Sequence, residues 1–238
     1  MVAVSSIRDA EPSADPRIES SGADDAQRRR TRGVVVGIAV AAALVALGGL
    51  VIGSMRDGST ASWSGTVLGE PATLPDVTLT DTDGEPFNLR DDSLGTTTIL
   101  MFGYTSCPDV CPINLASLGS ALEQLGPNRS SSVRVVFISV DPGRDQPEVV
   151  RSYLDQFDRD FVGLSGGPAD LRAAQEGVGV ERSEFGATGE DGGYEVGHAS
   201  AMFVFGPDGT ARIVYPFGTR QSDWTRDLPR LLDGEVPA

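Results

Sequence analysis

The chain has 238 residues, with 34 acidic side chains against 19 basic ones, every one of them Arg, for a net charge of −15. An acidic surplus of that size excludes electrostatic recognition of nucleic acid. The first quarter of the sequence is non-globular in character, so the length leaves room for one folded domain.

Residues 1–32 hold six Arg and six acidic residues and almost no large apolar groups. Such a segment cannot bury enough surface to offset chain entropy and is expected to be a disordered tail. Residues 33–55 carry no charged side chain; as a helix they would extend about 35 Å, enough to cross a bilayer core. A cleaved signal peptide is the rival reading, but a 32-residue leader and the length of the apolar run favour an uncleaved transmembrane helix. Arg28, Arg29, Arg30 and Arg32 precede the span and only Arg56 follows closely. The asymmetry predicts a single-pass cell-membrane protein with its N-terminus cytoplasmic and its C-terminal domain extracytoplasmic. In that compartment disulfides can persist.

Residues 56–70 are rich in Gly, Ser and Thr and read as a linker, leaving 71–235 as the domain. DVTLTDTDGEPFNL alternates around Asp83-Gly84 and predicts a hairpin. TTTILMFGY (96–104) is a continuous apolar run of buried-strand type that leads straight to Cys107. Ile113, Leu115, Leu118, Leu122 and Leu125 then recur at helical spacing, and Gly126-Pro127 stops the helix. SVRVVFISVD (132–141) predicts a second buried strand. Asp145 with Glu148 resembles a capping box, opening a helix whose apolar face is Val149, Tyr153, Leu154 and Phe157. A short strand (161–166), a helix ending in glycines, a hairpin around Gly206-Pro207-Asp208-Gly209 and a helix over 222–232 complete the order. Alternating strands and helices followed by an antiparallel hairpin predict an α/β thioredoxin-like fold, a mixed central sheet with helices on both faces.

The only two cysteines are Cys107 and Cys111, in CPDVC at the junction of the buried strand with the following helix. A bridge four residues apart closes too short a loop to stabilise much, which leaves a redox pair able to form a disulfide bond, or a ligand pair. An i, i+4 spacing puts both sulfurs on one helix face, and the helix N-terminus favours thiolate, at the first cysteine above all. His198 is the only histidine. It precedes the strand AMFVF, at the turn that in a thioredoxin-like layout faces the cysteines and usually carries a proline. Two thiolates and one imidazole fall short of the four ligands of a structural zinc site and suit copper better. Asp145 reads as a helix cap, and neither it nor Asp141 as a ligand.

FGYTSCPDVCP, then FISVDPGRDQPE, then the lone histidine before AMFVF, resemble the Sco/SenC family of copper chaperones for cytochrome c oxidase assembly, over residues 70–233. The resemblance implies a thioredoxin-like domain on a membrane anchor that binds one copper ion through Cys107, Cys111 and His198. It also implies delivery of copper to oxidase subunit II, or maintenance of that subunit's copper-site cysteines in reduced form, with a thiol reductant as second partner. The resemblance implies a metallochaperone rather than an enzyme; the alternative is a thiol-disulfide oxidoreductase acting through Cys107 and Cys111 without a metal. One departure stands out: many members carry Asp just before the histidine, where this chain has Gly197.

Overall fold

The computed structural model describes residues 62–188, 193–235 and 237. The compact unit begins at Trp63. The tail and the apolar run at 33–55 lie outside the described residues; among those described, no helix is long and apolar enough to cross a membrane.

In chain order the strands are β1 (Thr66–Thr73), β2 (Thr78–Asp81), β3 (Pro86–Asn88), β4 (Thr97–Gly103), β5 (Val133–Ser139), β6 (Val162–Ser165), β7 (Glu184–Phe185), β8 (Val196–Gly197), β9 (Met202–Phe205) and β10 (Thr210–Tyr215). The helices are α1 (Val110–Leu125), a single turn α2 (Pro127–Ser130), α3 (Pro147–Leu154), α4 (Pro168–Gly177) and α5 (Gln221–Leu232). Eight strands form one sheet in the order β1-β10-β9-β4-β5-β6-β2-β3, while β7 and β8 pair separately. β4, β5 and β6 run parallel and the other pairs antiparallel, so the sheet is mixed, as predicted.

β4 lies at the centre and is buried at all seven positions. Both faces of the sheet are therefore covered there, which is why the sequence of β4 is apolar without alternation. β10, nearer the edge, alternates buried and half-buried residues. α1 opens where the Asp109 side chain accepts the Val110 N–H, and it stops at Gly126, whose φ of 82° suits a residue without a Cβ. Leu115 and Leu118 are fully buried on its inner face, and each contributes about 1.5–3 kcal/mol to holding the helix on the sheet. The carboxyl ends of β4 and β5 open onto the same edge of the domain, the usual place for a ligand site in an α/β sheet.

Three expectations need correction. β1 starts at Thr66, inside the stretch 56–70 read as linker, and pairs with β10 through Thr66↔Val214 and Ala72↔Ala211 with a register shift between. It is an edge strand with mostly half-exposed and exposed residues, so it shows no apolar alternation. Ile113 and Val149 are exposed rather than core-facing, at 48% and 44%; Asn114 and Val150 occupy the buried positions instead. Asp145 caps no helix: Pro147 fixes the first turn of α3 and makes Gln146 the cap residue.

Candidate metal centre

β4 ends at Gly103, and the absence of a side chain there sets the depth of the site. A Cβ on Gly103 would lie 2.6 Å from Cys111 Sγ and 2.6 Å from the Phe137 ring. The chain then turns through Tyr104, whose carbonyl accepts the Cys107 N–H at 3.1 Å. Cys107 sits in this turn, just ahead of α1, and Cys111 in the first turn of the helix. The Cys111 N–H, one of the free donors of the helix start, points at Cys107 Sγ at 3.5 Å.

His198 arrives from the opposite side, between β8 and β9. Its Nε2 lies 3.8 Å from Cys107 Sγ and 3.7 Å from Cys111 Sγ, and the three donor atoms are within 4.8 Å of one another. Nδ1 is 2.9 Å from the Ala199 carbonyl. A carbonyl only accepts, so Nδ1 carries the proton and the Nε2 lone pair faces the sulfurs. The Tyr104 ring packs edge-on against the imidazole at 5.4 Å between centroids. Downstream, the buried Asn114 side chain donates to the Ser200 carbonyl at 3.0 Å, tying the histidine loop to α1. Gly197 is exposed, and an added Cβ there would make only ordinary contact, 3.6 Å from the Glu184 carbonyl; the missing acid is not excluded by space.

Both cysteines are free thiols, so the disulfide bond that the pair could form is absent. Burial pushes the Cys111 thiol well above its ordinary pKa, and the neighbouring Cys107 adds to the shift. At Cys111 the desolvation penalty therefore outweighs the helix terminus.

Asp141 and Asp145 lie outside the Cys107–Cys111–His198 cluster. Asp145 is 2% exposed and accepts the Thr105 N–H, the Thr105 hydroxyl and the Ser139 hydroxyl at 2.9, 2.6 and 2.6 Å. It thereby splices the loop after β4 to the end of β5. Asp141 accepts the Tyr194 hydroxyl at 2.7 Å and pairs with Arg144. Sequence reasoning missed Arg144 and Tyr194, because 53 residues separate Tyr194 from Asp141 and nothing local marks the pairing.

Two sulfurs and one imidazole nitrogen make a soft to borderline donor set, and Cys107, Cys111 and His198 are the only such cluster among the described residues. Sulfur-to-nitrogen separations of 3.7 and 3.8 Å are short enough for each thiolate to share one ion with the imidazole at ordinary bond lengths of about 2.0–2.3 Å. The set fits Cu(I), which accepts two or three soft ligands, better than a four-coordinate structural zinc.

The fold and the site together define a thioredoxin-like domain in which a dithiol at a strand-to-helix junction meets an imidazole carried by a separate arm. The sequence profile of SCO1/SenC matches residues 67–233, and the chain belongs to that family. A curated relative, the mitochondrial SCO1 homolog 1 of Arabidopsis thaliana, is 36% identical over 64% of this chain and 46% of its own length. Among solved structures, apo Sco1 from Thermus thermophilus is 35% identical, with a TM-score of 0.64 over 73% of this chain and 99% of that one. Copper-bound ScoI from Bradyrhizobium japonicum is 34% identical, with a TM-score of 0.56 over 67% and 98%.

Proposed function

We propose that this chain is a membrane-anchored, extracytoplasmic copper chaperone. It delivers copper to the dinuclear copper site of cytochrome c oxidase subunit II, or keeps the cysteines of that site reduced. The convergence of Cys107, Cys111 and His198 within 4.8 Å carries the reading, and the copper-bound relative of the same fold supports it. The run at 33–55 and its Arg-rich flank support the anchor and the orientation.

Copper is the cargo, one ion per domain. Cys107 is 7% exposed, Cys111 fully buried and His198 half-buried, so an incoming acceptor thiolate reaches the ion from the side of Cys107 and His198, and Cys111 is the least accessible of the three donors. The acceptor's thiolates replace Cys107 and Cys111 in turn, so no bare ion is released, and the raised pKa of Cys111 favours its taking up a proton once it is displaced. An oxidised pair holds no Cu(I), which makes a thiol reductant the necessary second partner. The free thiols also fit the alternative, exchange with a partner's disulfide without metal.

Titration of the reduced protein with Cu(I) against a competing chelator distinguishes the two. The expected result is one copper per chain, with affinity reduced at least tenfold in His198→Ala. Unchanged affinity in that variant rules out the three-ligand site, and failure to bind copper at all leaves only the exchange reaction.

A further inference from the structure

The three donors are held very unequally. Cys107 and Cys111 belong to the β4–α1 junction and to the core. His198 belongs to the arm formed by β7 and β8, whose ladder consists of only two pairs, Glu184↔Gly197 and Phe185↔Val196. A ribbon of that size has no independent stability in water. On the far side the loop runs into β9 and is held by Asn114 through the Ser200 carbonyl; on the arm's side the contacts gather at Tyr194, four residues before the histidine.

The Tyr194 hydroxyl donates to one carboxyl oxygen of Asp141, which is 1% exposed, while Arg144 Nε engages the other. The Arg144 guanidinium then lies over the Tyr194 ring at 3.7 Å and faces the Tyr104 ring at 5.6 Å. Tyr104 itself packs edge-on against His198. The cation is thus set between two aromatic rings, one on the arm and one on the thiol loop. Stacked, partly desolvated cation–π contacts and a hydrogen bond to a buried acid are among the stronger polar attachments available to such an arm.

We propose that Tyr194, Arg144 and Asp141 are positioning residues that set the metal affinity of the site by clamping the histidine arm over the thiol pair. The proposal rests on the reading of the thiol–imidazole cluster as a copper site. None of the three residues touches the ion. They act through the placement of the imidazole, as outer partners of a metal ligand do.

Tyr194→Phe removes one hydroxyl and keeps the ring, and Arg144→Lys keeps the charge and loses the planar stack. In the purified full-length protein each is expected to weaken Cu(I) binding about tenfold. In a His198→Ala background the same substitutions should change affinity no further, because the ligand they position is gone. A metal-free readout comes from the solitary histidine, whose ring protons give one set of proton NMR signals. A cross-relaxation peak to the Tyr104 ring is expected in the parent protein and should weaken in both variants.

Parent-like affinity and an unchanged ring contact in both variants overturn the clamp, as does an equal affinity loss with and without His198, or the absence of the contact in the parent. If His198→Ala leaves affinity unchanged, the three-ligand site falls. The ring contact then still decides whether these residues position the imidazole.

Discussion

Cys111 combines full burial with a place in the thiol–imidazole cluster, and burial and the proposed metal binding pull its proton in opposite directions. Its folded-state pKa is raised by desolvation, so the thiol stays protonated at neutral pH until a cation displaces the proton. Copper loading should therefore release at least one proton at pH 7, and apparent affinity should rise about tenfold per pH unit for each proton displaced. Titration calorimetry in buffers of different ionisation enthalpy measures the number released; a value of zero contradicts the protonated thiol. The three clustered donors were legible in the sequence because they are scarce, the only cysteines and the only histidine in the chain. Gly103 was not. A glycine after an apolar run has many explanations, and the approach of Cys111 Sγ to it depends on where α1 docks.

The loop between β5 and α3 shows how a local pattern misleads. Asp145, Pro147 and Glu148 look like the entry to a helix, and a helix does follow. The carboxyl of Asp145 turns inward instead, to Thr105 and Ser139. One competing partner, Ser139, ends β5, but the other, Thr105, is 40 residues away in the loop after β4, and no short-range reading could find it. Asp145→Ala would leave the buried Ser139 hydroxyl and the half-buried Thr105 N–H and hydroxyl without their acceptor, at a cost of about 2–4 kcal/mol. Chemical denaturation should show that loss as a lower midpoint at unchanged slope. A surface-like change below ~0.5 kcal/mol would mean that the splice contributes nothing. β1 escaped for a different reason. Its stabilisation comes from backbone pairing along β10 rather than from apolar side chains, and edge strands with exposed faces carry no periodic signature.

Taken whole, the domain fastens its beginning to its end. Trp63 stacks on Arg230 of α5 at 3.8 Å. Asp227, fully buried on the same helix, accepts the Ser64 N–H at 2.7 Å and the Tyr215 hydroxyl at 3.0 Å. Asp227→Ala should lower stability by about 2–4 kcal/mol and open the chain near Ser64 to limited proteolysis. An undiminished protease-resistant fragment beginning at Trp63 would show the latch to be dispensable. The same view recasts the separation of 87 residues between Cys111 and His198. An ion bound to both would close a ring through α1 to α4 and β5 to β8, and a crosslink spanning so much chain restricts the unfolded state far more than a bridge between Cys107 and Cys111 could. Under the proposed function, the cargo would act as a removable long-range crosslink, and surrendering it to an acceptor would return the histidine arm to the contacts that hold it in the metal-free protein.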